Sequence, residues 1–237
     1  MWRTAAVARG RRPTGTPCGV DPDGRRVTSA SDGGEADPRT GDGAIATYVD
    51  LLRRYHGTLD LMSDRGLAAI DRLVADAEAY AAGVADVVPP GLVLDVGTGA
   101  GLPAVVIAAR SPGRAMAWVE RRRRRATFLR TVVAHCGLTA VEVYADDVRS
   151  VAAEALEAPL VAVTAQAVGG WSSLYRWTRH LHGPSVTLIA RRGGDWEAER
   201  TAFAQQVQAE VEVRSAEPLG GGGTLVALLV RGGLPCP

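Results

Sequence analysis

The sequence contains no lysine and no asparagine in 237 residues, so all 27 of its basic side chains are arginine. A GC-rich coding bias accounts for that, and no function is read from it. Cysteine is scarce as well. Cys18, Cys136 and Cys236 are far apart, odd in number and without metal-ligand spacing. This excludes a disulfide framework and a metal site, and leaves reduced thiols of a cytosolic protein. No stretch reaches the ~18 apolar residues of a membrane span, and the opening MWRTAAVARGRR lacks the apolar run of a signal peptide. The expectation is a soluble, cytoplasmic chain with no membrane partner, a monomer. An excess of one charge is missing too. The 27 basic residues face 26 acidic ones, for a net charge of +1. No global field draws nucleic acid, and any RNA contact must come from local patches.

Residues 1–43 are rich in Gly, Pro, Ser, Thr, Asp and Arg and almost devoid of large apolar side chains. Such a segment cannot bury enough surface to offset its chain entropy, so it reads as a disordered extension. Its seven arginines are nearly balanced by six acidic residues, which argues against an RNA-binding arm without excluding one. From 44 to 88 the apolar residues fall at helical spacing, first at Ile45, Tyr48, Leu51, Leu52 and Tyr55, then across RGLAAIDRLVADAEAYAAGV. This is a helical cap. From 89 to 233 the rhythm changes to short apolar strands, Leu92–Val96, Ala115–Val119, Val141–Tyr144, Leu160–Val163 and Val186–Ala190, separated by helices over 102–110, 122–136 and 171–181. Alternation of this kind predicts an α/β core with a mainly parallel sheet covered on both faces. The closing AEVEVRSAEPLGGGGTLVALLVRG, two alternating runs around a Gly-rich turn, predicts an antiparallel hairpin.

The run Asp95-Val-Gly97-Thr98-Gly99-Ala-Gly101 follows the first strand and opens a helix. Its glycines let the backbone turn tightly and approach a ligand, and the helix start offers free N–H groups. A dinucleotide site would place the last glycine one residue later, as G-x-G-x-x-G. The acid at the strand end would repel a pyrophosphate but suits a cationic amino group. S-adenosylmethionine (SAM) has such a group, a sulfonium and no phosphate. Glu120, ending the second strand 25 residues after Asp95, is placed to accept two ribose hydroxyls. In YADDV, after the third strand, Asp146 or Asp147 can accept from the adenine amine, while one of the two can equally be a helix N-cap.

The stretch Asp95-Val-Gly-Thr-Gly-Ala-Gly-Leu-Pro103, followed by Glu120-x-x-x-Arg124-Arg125-x-x-Phe128-Leu129, resembles the bacterial small-subunit ribosomal RNA methyltransferase G family, the guanine-N7 methyltransferases of 16S rRNA. The resemblance spans about residues 45 to 231. It implies a Rossmann-like class I SAM-dependent methyltransferase fold of seven strands, SAM as cofactor, and 16S rRNA or the small ribosomal subunit as partner. It implies further that Gly97 and Leu102 contact SAM, that Glu120 holds the ribose, and that Asp147 and Val148 border the adenine. The chain departs from the family pattern after the fourth strand, where Thr164-Ala-Gln166-Ala167 stands in place of an arginine motif. It departs also at Tyr55-His56 and Asp60-Leu61 in the cap, at Leu73-Val-Ala-Asp76-Ala-Glu78, which keeps only the aspartate, and at Arg191-Arg192-Gly193, where the family has Lys-Gly.

Substitution at N7 of guanine uses a free lone pair and releases no proton, so no general base is required. The candidate bases His135, His180 and His182 would matter only for another acceptor. Gln166, Arg191 and Arg192 are the substrate-side candidates, Gln166 being also a candidate at the cofactor, and Arg179 is a further phosphate contact. Arg121–Arg123 read as phosphate contacts or a solvated face. Trp171 and Tyr175, in a cluster with Trp177, read as base-stacking or core residues. A methyltransferase of small metabolites and a silent SAM-binding protein remain the competing readings.

Overall fold

The computed structural model describes Asp37 and residues 40–232. Most of the extension expected over residues 1–43 therefore lies outside the described residues, as do Cys18 and Cys236. Residues 41–43 are a correction, because they already belong to the first helix, α1 (Gly41–Leu59). Thr40 caps it, its side chain accepting from the Gly43 N–H at 3.0 Å. Two further helices complete the cap, α2 (Asp64–Ala68) and α3 (Ile70–Val87), where one had been expected. Ser63 caps α2 through the Gly66 N–H, and the expected single helix is broken at Ala69 (φ −102°, ψ 17°), which ends α2 and precedes α3.

The core alternates β1 (Leu92–Val96), α4 (Ala104–Arg110), β2 (Met116–Val119), α5 (Arg123–His135), β3 (Val141–Tyr144), β4 (Leu160–Ala165), α6 (Trp171–Thr178), β5 (Ser185–Arg192), α7 (Trp196–Val207), β6 (Glu210–Pro218) and β7 (Thr224–Arg231). The expected strands are all present. β4 and β5 run two residues further at their carboxyl ends than their apolar runs, because neighbouring strands supply ladder partners there, as at Ala165↔Ala190 and Arg192↔Thr224. The sheet order is β3-β2-β1-β4-β5-β7-β6. β1 to β5 are parallel, and β7 is antiparallel to both β5 and β6. The expected seven-stranded, mainly parallel Rossmann-like sheet with its terminal hairpin is thus in place.

Side-chain alternation along the strands divides the core in two. Val93, Met116, Trp118, Ala162 and Ile189 pack with α1, α3, α4 and α5. Leu94, Ala117, Val119, Val163 and Leu188 pack with Trp171, Leu174, Tyr175 and Phe203 of α6 and α7 on the other face. β1 is buried at all five positions, as a strand covered on both faces must be. The strand order reverses beside β1, which has β2 on one side and β4 on the other. In open α/β sheets the ligand crevice forms at the carboxyl ends of the strands at that reversal.

Candidate cofactor and acceptor site

A crevice of about 430 Å³ opens at that place. Its wall comes from every loop expected to build it: Val96 and Gly97 after β1, Glu120 to Arg122 after β2, Asp146 to Arg149 after β3, and Ala167 and Val168 after β4. Arg125 and Trp177 complete it. The volume is in the range of a small-molecule site.

The glycine turn is fastened from three directions. The N–H groups of Gly97 and Thr98 donate to the Val119 carbonyl at 2.8 and 3.2 Å. The Gly99 N–H donates to Glu120 Oε2 at 3.0 Å. From the cap, the Tyr48 hydroxyl donates to the Ala100 carbonyl at 3.1 Å, joining α1 to the turn. The other Glu120 oxygen, Oε1, accepts the Arg122 N–H at 2.8 Å. A carboxylate has about four lone-pair positions, so two remain for a ligand. A carboxylate held at the crevice by two backbone donors fits a pair of hydroxyls and repels a phosphate. By the chemistry of this donor set the crevice fits SAM.

Not every expected contact reaches the crevice. Asp95 is 1% exposed and absent from the wall, and its Oδ1 accepts from the Thr164 hydroxyl at 2.6 Å. The expectation that it meets a cationic amino group directly is corrected: it lies beneath the turn, buried in the sheet. Burial pushes its carboxyl up to about 6, against the opposing hydrogen bonds of Thr164 and Thr98. A raised carboxyl pKa means that the folded state favours the protonated form. That contribution is complete below the ordinary value of 3.8 and is lost as pH rises through about 6. Asp95→Asn should therefore be more stable than the parent at pH 8, by up to about 3 kcal/mol. The gain should vanish near pH 4. Melting temperatures of both proteins from pH 4 to 8 check this, and a constant difference would refute it.

Thr98 is 2% exposed and serves the turn, its hydroxyl donating to the Asp95 carbonyl at 3.2 Å. Gly99, Gly101 and Leu102 are not among the residues that line the crevice. Of the two aspartates after β3, Asp147 is the N-cap of the 3-10 turn Val148–Ser150, accepting the Arg149 N–H at 3.0 Å. Hydrogen bonds from the Arg149 guanidinium hold its carboxyl well below the usual range. Asp146 is exposed and spends one oxygen on the Asp147 N–H at 2.7 Å. The cap role open to either one falls to Asp147, and Asp146 keeps an oxygen for a ligand.

The substrate-side candidates are displaced. Gln166 is half-buried, makes no side-chain hydrogen bond and lies off the wall. Arg191 is anchored to the cap helix: it faces Asp76 at 3.4 Å, donates to the Gly221 carbonyl, and its backbone N–H donates to the Tyr80 hydroxyl at 2.9 Å. Arg192 lies 4.1 Å above the Trp171 ring, donates to the Gly169 carbonyl at 2.8 Å, and is lowered in pKa by burial. Arg191 ties the cap helix α3 to the turn between β6 and β7, and Arg192 holds the loop after β4. Arg179 leans on the Tyr175 ring at 5.9 Å and is off the wall too. Trp171 and Tyr175 are core residues at 0% and 6% exposure. The aromatic side chain that faces the crevice is Trp177, two turns along α6 from Trp171; the spacing marked the cluster without telling which ring points outward. No histidine lines the crevice. His180 bonds the Val151 carbonyl at 3.0 Å, and burial pushes His182 down to about 3.

A doubly wound sheet of this order, with a glycine turn and a second-strand acid sharing one crevice, defines a class I SAM-dependent methyltransferase. The profile of one family, described as rRNA small subunit methyltransferase G, matches residues 43–222. The chain belongs to that family. It is 35% identical over 186 residues to the ribosomal RNA small subunit methyltransferase G of Acidothermus cellulolyticus, covering 75% of this chain and 79% of that one. It is 28% identical to the protein of the same name from Halorhodospira halophila, covering 78% and 85%. Among solved structures, a SAM dependent methyltransferase from Aquifex aeolicus superposes with a TM-score of 0.49 at 15% identity, over 66% of this chain and 90% of its own. A likeness that distant carries no function.

Proposed function

We propose that this chain transfers the methyl group of SAM to N7 of a guanine in 16S rRNA, in the cytoplasm. The observation that carries the reading is the Glu120 carboxylate, fixed in the crevice by two backbone donors beside the glycine turn, in a chain of this family. In this reading Glu120 receives the ribose hydroxyls. The oxygen left on Asp146 receives the adenine amine, and Val148, Val168 and Trp177 supply the flat apolar walls an adenine needs. Gly97 lets the backbone come close: at φ +69° a Cβ there would stand 3.0 Å from Val168. Bound SAM supplies a methyl carbon activated by its sulfonium.

The N7 lone pair forms the new bond as the carbon–sulfur bond breaks toward sulfur, and no proton leaves. Such a reaction needs no base, and among the described residues no histidine lines the wall. The protein's part is alignment, which can contribute ~7–11 kcal/mol in favourable cases.

The test is transfer of a labelled methyl group to small ribosomal subunits and to protein-free 16S rRNA, with the modified nucleoside identified by mass spectrometry. Label in 7-methylguanosine is expected. The departures in the cap and the net charge of +1 favour a second reading, a small-metabolite acceptor, while Gln166 in place of the family arginine favours a silent SAM-binding protein. Label in a metabolite extract but not in RNA would establish the metabolite reading and end the ribosomal one. SAM binding without transfer to any acceptor would leave a silent SAM-binding protein.

A further inference from the structure

The five consecutive arginines do not form one structural unit. Arg121 and Arg122 lie on the connection from β2, with Arg122 in extended backbone (φ −81°, ψ 106°), and α5 starts only at Arg123. The run is therefore not wound around a helix as a whole, and its first members project from the rim of the crevice. Arg121 and Arg122 line the wall. Arg121 to Arg124 are exposed, and among the described residues none of their guanidinium groups makes a hydrogen bond or ion pair. Arg125 differs: it donates to the Asp60 carbonyl at 2.6 Å. Of the nearby carboxylates, Glu120 and Asp146 accept backbone N–H groups and Asp147 is held by Arg149, and none of them hydrogen-bonds to or ion-pairs with the guanidinium groups of Arg121 to Arg124.

The position is also unfavourable to cations. The first turn of α5 has no acidic residue, and Arg122, at the N-cap, makes no capping bond. Arginines crowded there oppose the positive end of the helix dipole and one another, which costs stability. Ser, Thr or Asp would serve the fold better at 122. An anionic partner resolves the conflict.

We propose that Arg121 to Arg124 receive the backbone phosphates of the RNA strand that flank the target base. The inference rests on the ribosomal RNA reading and adds the surface by which the acceptor is held. Guanidinium forks grip phosphate oxygens bidentately, and four of them beside the crevice place the strand over it. The chain's net charge of +1 leaves such binding to a local cluster.

The test compares the full-length parent with R121Q/R122Q/R123Q/R124Q and with the quadruple Lys variant, binding a 16S rRNA fragment at several salt concentrations. Circular dichroism and melting temperature report the fold. The Gln variant should melt no lower than the parent, and its slope of log affinity against log salt should shrink by about 3. The Lys variant should keep most of the slope. Parent-like RNA affinity and slope in the Gln variant, with the parent itself methylating RNA, would overturn this inference alone. A parent that binds no RNA at any salt would overturn it together with the ribosomal reading.

Discussion

Glu120→Gln is expected to weaken S-adenosylhomocysteine binding at least 100-fold in calorimetric titration, with the fold intact. The two carboxylate oxygens each accept a backbone N–H, from Gly99 at 3.0 Å and Arg122 at 2.8 Å. An amide has one acceptor oxygen, so one of these N–H groups would face an NH₂. Hydrogen bonds to a charged group contribute ~1.5–3 kcal/mol each. Losing two toward the ribose removes ~3 kcal/mol or more, which is a factor of at least ~100 in affinity. Glu120→Asp should fall between, because it keeps the charge but withdraws it by one methylene. Should the Gln variant bind within threefold of the parent, Glu120 does not hold the ribose, and the crevice must seat its ligand by other groups.

The parts of the molecule legible in the sequence are those built from local pattern. Leu92–Val96 is apolar except for Asp95 and is stopped by glycine, and the burial of its apolar residues on both faces follows from that pattern. Glu120 could be found because β2 is short and its carboxyl end is marked by the sudden change to arginine. The cap was recognisable from spacing, yet its function at the turn was not: the Tyr48 hydroxyl meets the Ala100 carbonyl across 52 residues. The helix α7 escaped notice because only Phe203 of its twelve residues is buried, so it has no apolar stripe to read.

Arg191 and Arg192 were misplaced for a related reason. Proximity to a strand's carboxyl end told where their backbones lie. It could not tell that Asp76, 115 positions away, would engage one, or that the Trp171 ring would sit beneath the other. The same blindness in reverse applies to Arg121–Arg124. The helix expected over 122–136 took in Arg122 to Arg124, whereas α5 starts at Arg123 and Arg121 and Arg122 precede it. Charge that folding has neutralised and charge that folding has left open look alike in a sequence. The tertiary partners separate them.

The glycine turn provides the largest expected loss of stability. At Gly101 the backbone has φ +116°, outside the regions open to residues with a side chain, and a Cβ there would lie 2.9 Å from Val105 Cγ2 and 3.0 Å from Tyr48 Cε2. Gly101→Ala therefore combines two penalties: backbone strain of order 1–3 kcal/mol, and overpacking of typically ~1–3 kcal/mol. Tyr48 is fully buried and hydrogen-bonded to the neighbouring Ala100, so it cannot move aside without loosening the turn. A destabilisation of about 2–6 kcal/mol in urea unfolding is expected, with weaker S-adenosylhomocysteine binding in whatever remains folded. The two penalties can be separated. Adding Val105→Ala removes the nearer of the two contacts, so the double variant should recover part of the overpacking penalty as a favourable coupling energy, while the strain from φ persists. A Gly101→Ala protein as stable as the parent would mean that the turn does not take this conformation. The site would then have to be rebuilt from Glu120 outward.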